Sequence, residues 1–431
     1  MLTHYRKWLV MGLCIVCGLF VLGPVDSSQP WEEEVPWSAF ERLAGGAHRA
    51  TAAEVAEWLP RVDPHGQLGA LIELEDNELV FHRAEEPMAP EVVLTLSGES
   101  RDGAESTRSD EGLKGLRVVL DPGHYGGVWA EAEQRHYEVE GRVPILEGNL
   151  TYATALNLGR LLHEEGATVW LTRGAPPREP IRYVDQRDFD LEREASLWLT
   201  HQQQGLTGLW KVLYPMRADD WALGAIKDSK ITRSGPHLFA LSDLRRRSEL
   251  SNRCQADVTI SIHYNASGNP DVNHLMVFMP GNFMPGELDS EASRYYALRQ
   301  LVDGVLPTTM ALGTRVARAM SARMGLVVRP ASKKLNSLAI EQAPGVYARN
   351  LSVLKRTRGP VLLVEGPFMT NPGEYEKLMA PLSADEPAPR IRQLSEALLA
   401  ALRASASELR ALRSDEKELD TSSCAAWTPV W

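Results

Sequence analysis

The chain has 431 residues, of which 44% are hydrophobic and 24% charged, which is typical of a globular protein and excludes intrinsic disorder of the whole chain. The length predicts two or three domains. With 46 lysine and arginine residues against 57 aspartate and glutamate residues, the net charge is −11, and no basic block predicts a nucleic-acid partner. The four cysteines are too few for a disulfide scaffold, although a bridge between Cys254 and Cys424 stays open.

The N-terminus has the pattern of an export signal. Two basic residues, Arg6 and Lys7, precede the uncharged run Trp8–Leu22, and a Gly-Pro pair follows it. The run is shorter than the roughly 20 residues that a membrane-spanning helix needs. We expect residues 1–29 to be a cleaved signal peptide, with a retained membrane anchor as the alternative. The protein is expected to contact a membrane only through this segment, if the segment is not cleaved. The protein is therefore expected in the periplasm or elsewhere in the cell envelope.

Residues 30–112 are predicted to form a small N-terminal α+β region followed by a polar linker. Thr51 is the expected N-cap of a short helix. Apolar and polar residues alternate over residues 70–83 and predict a β-hairpin that turns at Asp76-Asn77, and a further strand follows. The last part of the region is charged and nearly free of apolar residues, which is typical of a linker.

Residues 113–403 are predicted to be one α/β domain, because strands alternate with helices along them. The apolar strands read "LRVVLDPG", "ATVWLT", "DVTISIH", "LMVFM" and "GPVLLVEG". The helices include 149–165, 241–254 and 314–324. This alternation predicts a twisted, largely parallel sheet flanked by helices. Residues 404–431 are expected to be a frayed helix and a mobile tail.

Residues 174–240 interrupt this alternation and are expected to be an insertion over one edge of the sheet. The segment holds several aromatic residues, namely Tyr183, Trp198, Trp210, Tyr214 and Trp221. These side chains suit the packing of a small subdomain or stacking on sugar rings. A lid, a groove wall and a docking element remain the alternatives for its role.

Four side chains that can carry chemistry stand at the ends of these elements. His124 follows the first strand, Glu147 begins a helix, His263 ends a buried strand and Glu365 ends the last strand. Ligands bind beyond the carboxyl ends of strands in open α/β sheets, so we expect these residues in one site. Two histidines and one carboxylate are a set typical of catalytic zinc, and a second carboxylate can serve as the base. Each residue taken singly is also compatible with a structural role.

Other candidates are weaker. His163 and the arginines 245–247 are expected on solvated helix faces. His274, just before a strand, is a candidate either for a residue that supports a metal ligand or for a substrate contact. Cys254 lies within a predicted helix without an orienting partner, so a nucleophilic thiol is not expected. The sequence has neither a P-loop nor a glycine-rich dinucleotide motif.

Residues 115–400 resemble the zinc-dependent N-acetylmuramoyl-L-alanine amidases of the amidase type 3 family. The resemblance rests on "VVLDPGHYGG", "LEGNLTYATALNLGRLLHEEGATVWLTR", "LRRRSELSNRCQADVTISIHYNAS" and "RNLSVLKRTRGPVLLVEGPFMTNPGE". It implies one zinc ion held by His124, Glu147 and His263, with Glu365 as the catalytic glutamate. It also implies hydrolysis of the amide between N-acetylmuramic acid and L-alanine in peptidoglycan, for cell-wall remodelling or cell separation.

The sequence departs from the family pattern in places, and two other functions stay open. The stretch between Glu147 and His263 is long, residues 280–312 are extended, and Pro367 stands where a small or apolar residue is more usual. A non-catalytic peptidoglycan-binding regulator on the same fold is one alternative. A zinc hydrolase of another amide is the second. Family members in the periplasm can carry an inserted segment that shields the metal, so a protein activator is a candidate partner.

Overall fold

The computed structural model describes residues 35–84, 90–98, 112–124, 130, 135–139, 141–172, 244–245, 247–329, 338–380 and 387–413. The predicted export signal, most of the predicted linker, the insertion 174–240 with its aromatic residues and the end of the tail lie outside these residues. None of the helices in the described ranges is both long enough and apolar enough to span a membrane.

A small α+β region begins the described chain. It consists of α1 (Trp37–Ala44), α2 (Ala52–Val62) and an antiparallel sheet of β1 (Ile72–Glu75), β2 (Glu78–His82) and β3 (Glu91–Thr95). Thr51 caps α2 as predicted, because its hydroxyl accepts the Glu54 N–H at 3.2 Å while the Glu54 carboxylate accepts the Thr51 N–H at 2.8 Å. The hairpin prediction is also confirmed, since β1 and β2 pair on either side of Asp76 and Asn77.

A seven-stranded sheet forms the centre of the molecule. Its strands are β4 (Arg117–Pro122), β7 (Thr168–Leu171), β8 (Val258–Asn265), β9 (Met276–Met279), β10 (Leu338–Ala339), β11 (Val346–Ala348) and β12 (Val361–Phe368), in the spatial order β10-β11-β9-β12-β8-β4-β7. Strands β12, β8, β4 and β7 run parallel, whereas β9 is antiparallel to β12 and β10 to β11. The largely parallel sheet is therefore as predicted. A separate antiparallel pair is formed by β5 (His136–Tyr137) and β6 (Ile145–Leu146).

Helices cover both faces of this sheet. They are α3 (Glu147–Glu164), α4 (Glu291–Val302), α5 (Leu306–Met324), α6 (Ser352–Arg356), α7 (Pro372–Leu378) and α8 (Pro389–Ala411). Helices α3, α5 and α8 pack together on one face, while α6 and the helical residues 247–253 pack on the other. The extension noted at 280–312 contains α4 and the first turns of α5, neither of which the apolar periodicity predicted.

The chain from Val35 onward is one compact unit, so its packing does not separate the region before residue 112 from the α/β sheet and its helices. Arg83, after β2, pairs with Glu291 at the start of α4 at 2.5 Å. The division at residues 112 and 113 therefore stays a prediction. Helix α8 continues to Ala411, past the predicted boundary at 403, and residues 414–431 lie outside the described chain.

Candidate metal centre

The loop after β4 sets the position of His124. The backbone N–H of Gly123 donates to the carbonyl of Ile262 at 2.8 Å, and the Thr151 hydroxyl donates to the carbonyl of Gly123 at 2.6 Å. His124 itself has φ of +58°, in the left-handed region that few non-glycine residues adopt. These contacts tie the turn to β8 and to α3 and hold the His124 side chain beyond the end of the sheet.

Glu147 is the first residue of α3, two residues earlier than the predicted helix start. Its side chain is almost fully buried, and Oε1 accepts the backbone N–H of Tyr264 at 3.1 Å. The same oxygen lies 3.2 Å from Nδ1 of His263, while Oε2 lies 3.6 Å from Nε2 of His124. A single carboxylate therefore reaches both histidines.

The structure brings together three of the four predicted site residues as a possible metal-binding group. One ligand atom from each of His124, Glu147 and His263 lies within 4.8 Å of the others. The two imidazole rings stand nearly perpendicular, at 89°, with centroids 4.9 Å apart. Two imidazole nitrogens and one carboxylate are a donor set found in catalytic zinc sites, so these residues fit a zinc ion.

Gly123 makes room for the second histidine. A Cβ atom at this position would lie 2.3 to 2.6 Å from three atoms of the His263 ring. Such a distance is far below a van der Waals contact, so any side chain at residue 123 would displace the ring. The glycine of the "DPGH" motif is therefore required by the close approach of the β4 loop to His263.

The charges of the group are strongly interdependent. Burial acts to raise the pKa of the Glu147 carboxyl, but the charges and hydrogen bonds of His124 and His263 outweigh it and lower the pKa. Burial acts to lower the pKa of the His263 imidazole, but its contact with Glu147 outweighs it and raises the pKa. The pair is therefore held together by opposite charges in a buried position.

Glu365 lies beside the histidine pair rather than within it. It occupies the position of β12 that pairs with His263 on β8, so the two side chains leave the same face of the sheet about 5 Å apart. Burial, with the negative charge of Glu147, raises the pKa of the Glu365 carboxyl to about 7, against the charges of His263 and two arginines. This arrangement places a carboxyl group next to the proposed ligands.

Arg135 is a site residue that the sequence interpretation missed. Its Nε donates to Nε2 of His124 at 3.2 Å and lies 3.7 Å from Oε2 of Glu147. It directly precedes the β5–β6 pair, which α7 holds in place through a hydrogen bond from the Tyr375 hydroxyl to the carbonyl of Val143 at 2.7 Å. No local pattern around Arg135 indicated this position, because the contacts that create it come from distant parts of the chain.

A buried ion pair supports the loop that carries His124, and it corrects one prediction. Arg247, expected on a solvated helix face, is buried and donates to Asp121 at 3.3 Å. The hydroxyls of Thr172 and Ser261 also donate to the Asp121 carboxylate, at 2.5 and 2.6 Å. The prediction for Arg247 was wrong because the helical residues 247–253 pack against the sheet, where a buried arginine needs a carboxylate partner.

The structure gives different outcomes for the three weaker candidates, His163, His274 and Cys254. His163 is exposed on α3, as expected. His274 lies just before β9 with its ring centroid 4.7 Å from that of Phe368, and its role as a substrate contact stays a prediction. Cys254 is buried and disulfide-bonded, with its partner outside the described residues, so the bridge to Cys424 that the sequence left open is not decided.

Sequence comparison identifies relatives of this chain. A family model described as N-acetylmuramoyl-L-alanine amidase matches residues 217–392, which include His263 and Glu365 but not His124 and Glu147. The chain is also 31% identical over 113 residues to the probable cell wall amidase LytH of Staphylococcus aureus. That match covers 25% of this chain and 35% of the relative, so the chain spans about a third of the length of its curated relatives.

Solved structures of amidases are also similar to the chain at a distant level. The amidase CwlD of Clostridioides difficile, solved in complex with the GerS lipoprotein, is 16% identical, with 68% of this chain and 98% of that one covered and a TM-score of 0.37. Ami1 of Mycobacterium smegmatis is 14% identical, with 69% and 99% covered and a TM-score of 0.37. Over residues 217–392, the chain is thus similar to the N-acetylmuramoyl-L-alanine amidase family.

Proposed function

We propose that the protein is an exported, zinc-dependent N-acetylmuramoyl-L-alanine amidase that hydrolyses the amide between N-acetylmuramic acid and L-alanine in peptidoglycan. The observation that carries the proposal is the convergence of His124, Glu147 and His263, with ligand atoms within 4.8 Å, beside Glu365. The family match supports the substrate class, because it includes the strand that carries His263 and the strand that carries Glu365.

His124, Glu147 and His263 would hold the metal. When bound, a zinc ion lowers the pKa of a water molecule and polarises the scissile carbonyl. Glu147 is fixed for this role by the N–H of Tyr264, and Gly123 leaves space for the ring of His263. The ligands therefore come from one loop, one strand and one helix start, which the fold already holds together.

Glu365 would move the proton. Its carboxylate takes a proton from the attacking water and returns it to the leaving amine nitrogen, which is the role of a general base and then a general acid. Glu147 cannot share this role, because both its oxygens face histidines and one also accepts a backbone N–H. The side chain of Arg135 adds a positive charge beside His124, where it can stabilise negative charge that develops on the substrate.

Export and regulation are parts of the same proposal. The disulfide at Cys254 supports an oxidising compartment such as the periplasm or cell envelope, because disulfides are rare in reducing compartments. We place the domain boundaries as the sequence predicts them, at residues 30–112, 113–403 and 404–431. A protein activator would act through residues 174–240, and the activity would serve cell-wall remodelling or cell separation.

A product-release assay on purified peptidoglycan tests the function. The chain without residues 1–29 is loaded with zinc, incubated with intact sacculi, and the soluble products are identified by mass spectrometry. We expect stem peptides with a free L-alanine amino group, loss of this release with a chelator, and recovery with zinc. Binding to sacculi without release would favour the regulatory alternative. Cleavage only of other amides would favour a different zinc hydrolase.

A further inference from the structure

Two arginines lie over the face of the sheet that carries Glu365. Met276 on β9 pairs with Glu365 on β12, and Phe278, two residues further along β9, pairs with Leu363. Paired residues of neighbouring strands point to the same face, so the side chains of Met276 and Phe278 share the face of Glu365. They belong to a buried apolar cluster beside the metal centre, in which Leu354 of α6 packs against a floor of sheet residues, namely Met276, Phe278, Tyr347, Val361 and Leu363.

Arg329 lies over the end of this floor that is closest to Glu365. Its side chain approaches the sulfur of Met276 at 3.9 Å, and its carbonyl accepts the hydroxyl of Tyr347 at 2.7 Å. Its backbone N–H also donates to the carbonyl of Leu275 at 2.9 Å. The backbone of Arg329 is thus held at two points, and its guanidinium lies one strand away from Glu365.

Arg349 lies over the next part of the floor. Its guanidinium carbon is 5.6 Å from the centroid of the Phe278 ring, within the range of a cation–π contact. Its backbone N–H donates to the carbonyl of Met279 at 3.0 Å, which fixes the residue at the end of β11. Because Met276 and Phe278 are two residues apart on one strand, the arginines lie over positions about 7 Å apart.

These two positive charges have no ion-pair partner among the residues that the structure describes, although the whole chain carries a net charge of −11. Both side chains are partly exposed. Their charge reaches the neighbouring groups, since Arg349 acts to lower the pKa of Glu365, and Arg329, after burial, acts to lower the pKa of His274. A guanidinium on an apolar floor is suited to bind a carboxylate in a planar, bidentate manner.

We propose that Arg329 and Arg349 form a carboxylate-binding subsite beside Glu365 that receives acidic groups of the stem peptide. The subsite favours stems whose carboxyl groups are free over stems in which the same groups are amides. This inference rests on the proposed amidase function, because it takes the stem peptide as the ligand. It makes the two arginines specificity-determining residues, distinct from the residues that would hold the metal or move the proton.

The experiment compares two ligands that differ only in charge. Each consists of N-acetylmuramic acid joined to the same stem peptide, with free carboxyl groups in one and primary amides in the other. Their dissociation constants are measured by calorimetry with zinc-loaded Glu365→Gln, which should bind without fast turnover. We expect the free-carboxyl ligand to bind about ten- to one-hundredfold more tightly, which is the usual range for a charged hydrogen bond.

Arg329→Gln and Arg349→Gln in the same background should each reduce this preference, and Lys at either position should retain part of it. Arg323→Gln is the matched control, because Arg323 lies on α5 and pairs with Glu396 at 2.8 Å. An unchanged preference in both Gln variants overturns the subsite, as does equal weakening of both ligands or no binding of the free-carboxyl ligand. A preference that disappears in the Gln variants, in a chain that releases no stem peptides from sacculi, would keep the subsite and reject the amidase function.

Discussion

Oε1 of Glu147 lies 3.2 Å from Nδ1 of His263, although 116 residues separate the two in the chain. The contact exists because α3 starts at the end of β8, where the same oxygen also accepts the N–H of Tyr264. A helix start and a strand end thus form one half of the proposed metal centre. His124, on the loop after β4, completes it.

Alanine at His124 or His263 should abolish zinc binding, because each substitution removes one of three proposed ligands. Zinc content per chain, measured by mass spectrometry of metals after dialysis, should fall from one to near zero, and stem-peptide release should fall with it. His163→Ala, at an exposed position of α3, is the control and should keep both. Full zinc content in either site variant would show that the ligand assignment is wrong.

Glu365→Gln should leave zinc bound while turnover falls by about 10²–10⁴, the usual contribution of general acid–base catalysis. The amide keeps the size of the side chain but cannot accept the proton. Turnover is measured by stem-peptide release, and zinc content is measured on the same sample. Glu341→Gln, at an exposed position, should change neither. If zinc is lost from Glu365→Gln, then Glu365 is a ligand and Glu147 becomes the candidate base.

Gly123→Ala should weaken zinc binding, because its Cβ atom would come within 2.3 to 2.6 Å of the His263 ring. The ring or the β4 loop must move, and a ligand then leaves its position. The zinc dissociation constant is measured by competition with a chelator. Gly268→Ala is a matched control with open space around its Cβ atom, and its zinc affinity should equal that of the parent. Equal affinities for all three proteins would contradict the packing argument.

Asp121→Asn should lower both stability and zinc affinity. The carboxylate accepts hydrogen bonds from Thr172, Ser261 and Arg247, and an amide cannot accept from all three. Loss of a buried ion pair costs about 3–5 kcal/mol of unfolding free energy. Chemical denaturation and zinc competition provide the two measurements.

A second buried ion pair supplies the control for Asp121→Asn. Glu374 on α7 accepts two hydrogen bonds from the buried Arg390 on α8. Glu374→Gln should therefore lower stability to a similar degree but leave the zinc affinity unchanged. An unaltered zinc affinity in Asp121→Asn would show that the ion pair at Asp121 does not position His124.

The Glu374–Arg390 pair should also give the protein an acid-sensitive part of its stability. Burial acts to raise the pKa of the Glu374 carboxyl, but the hydrogen bonds and charges of Arg390 and Lys377 outweigh it, so the folded pKa lies below the ordinary value of 4.5. Because the folded pKa is depressed, the stabilisation is complete above the ordinary pKa and is lost as the pH falls through the folded pKa. The unfolding free energies of the parent and of Glu374→Gln are measured by urea denaturation between pH 7 and pH 3. The difference between the two free energies should shrink toward acid pH. A difference that stays constant with pH would contradict the link between the Glu374 pKa and stability.

The sequence by itself determined the features that depend on neighbouring residues. Alternation of apolar strands and helices was sufficient for the α/β class, and Thr51 with Glu54 was sufficient for the start of α2. The positions of His124, His263 and Glu365 at or near strand ends were also readable, because the carboxyl ends of parallel strands meet at one edge of a sheet. The local pattern thus predicted which residues would be near one another.

Only the tertiary structure decided the contacts that depend on distant parts of the chain. Arg135 reaches His124 because α7 holds the β5–β6 pair, and Arg247 pairs with Asp121 because residues 247–253 pack on the sheet. Neither contact can be recognised from the spacing of apolar residues in the sequence. An arginine on a solvated helix face and an arginine in a buried ion pair can have the same neighbouring residues. The same reason applies to Arg329 and Arg349. Their side chains contact Met276 and Phe278 on β9, the strand that pairs with the Glu365 strand, and these contacts join distant parts of the chain.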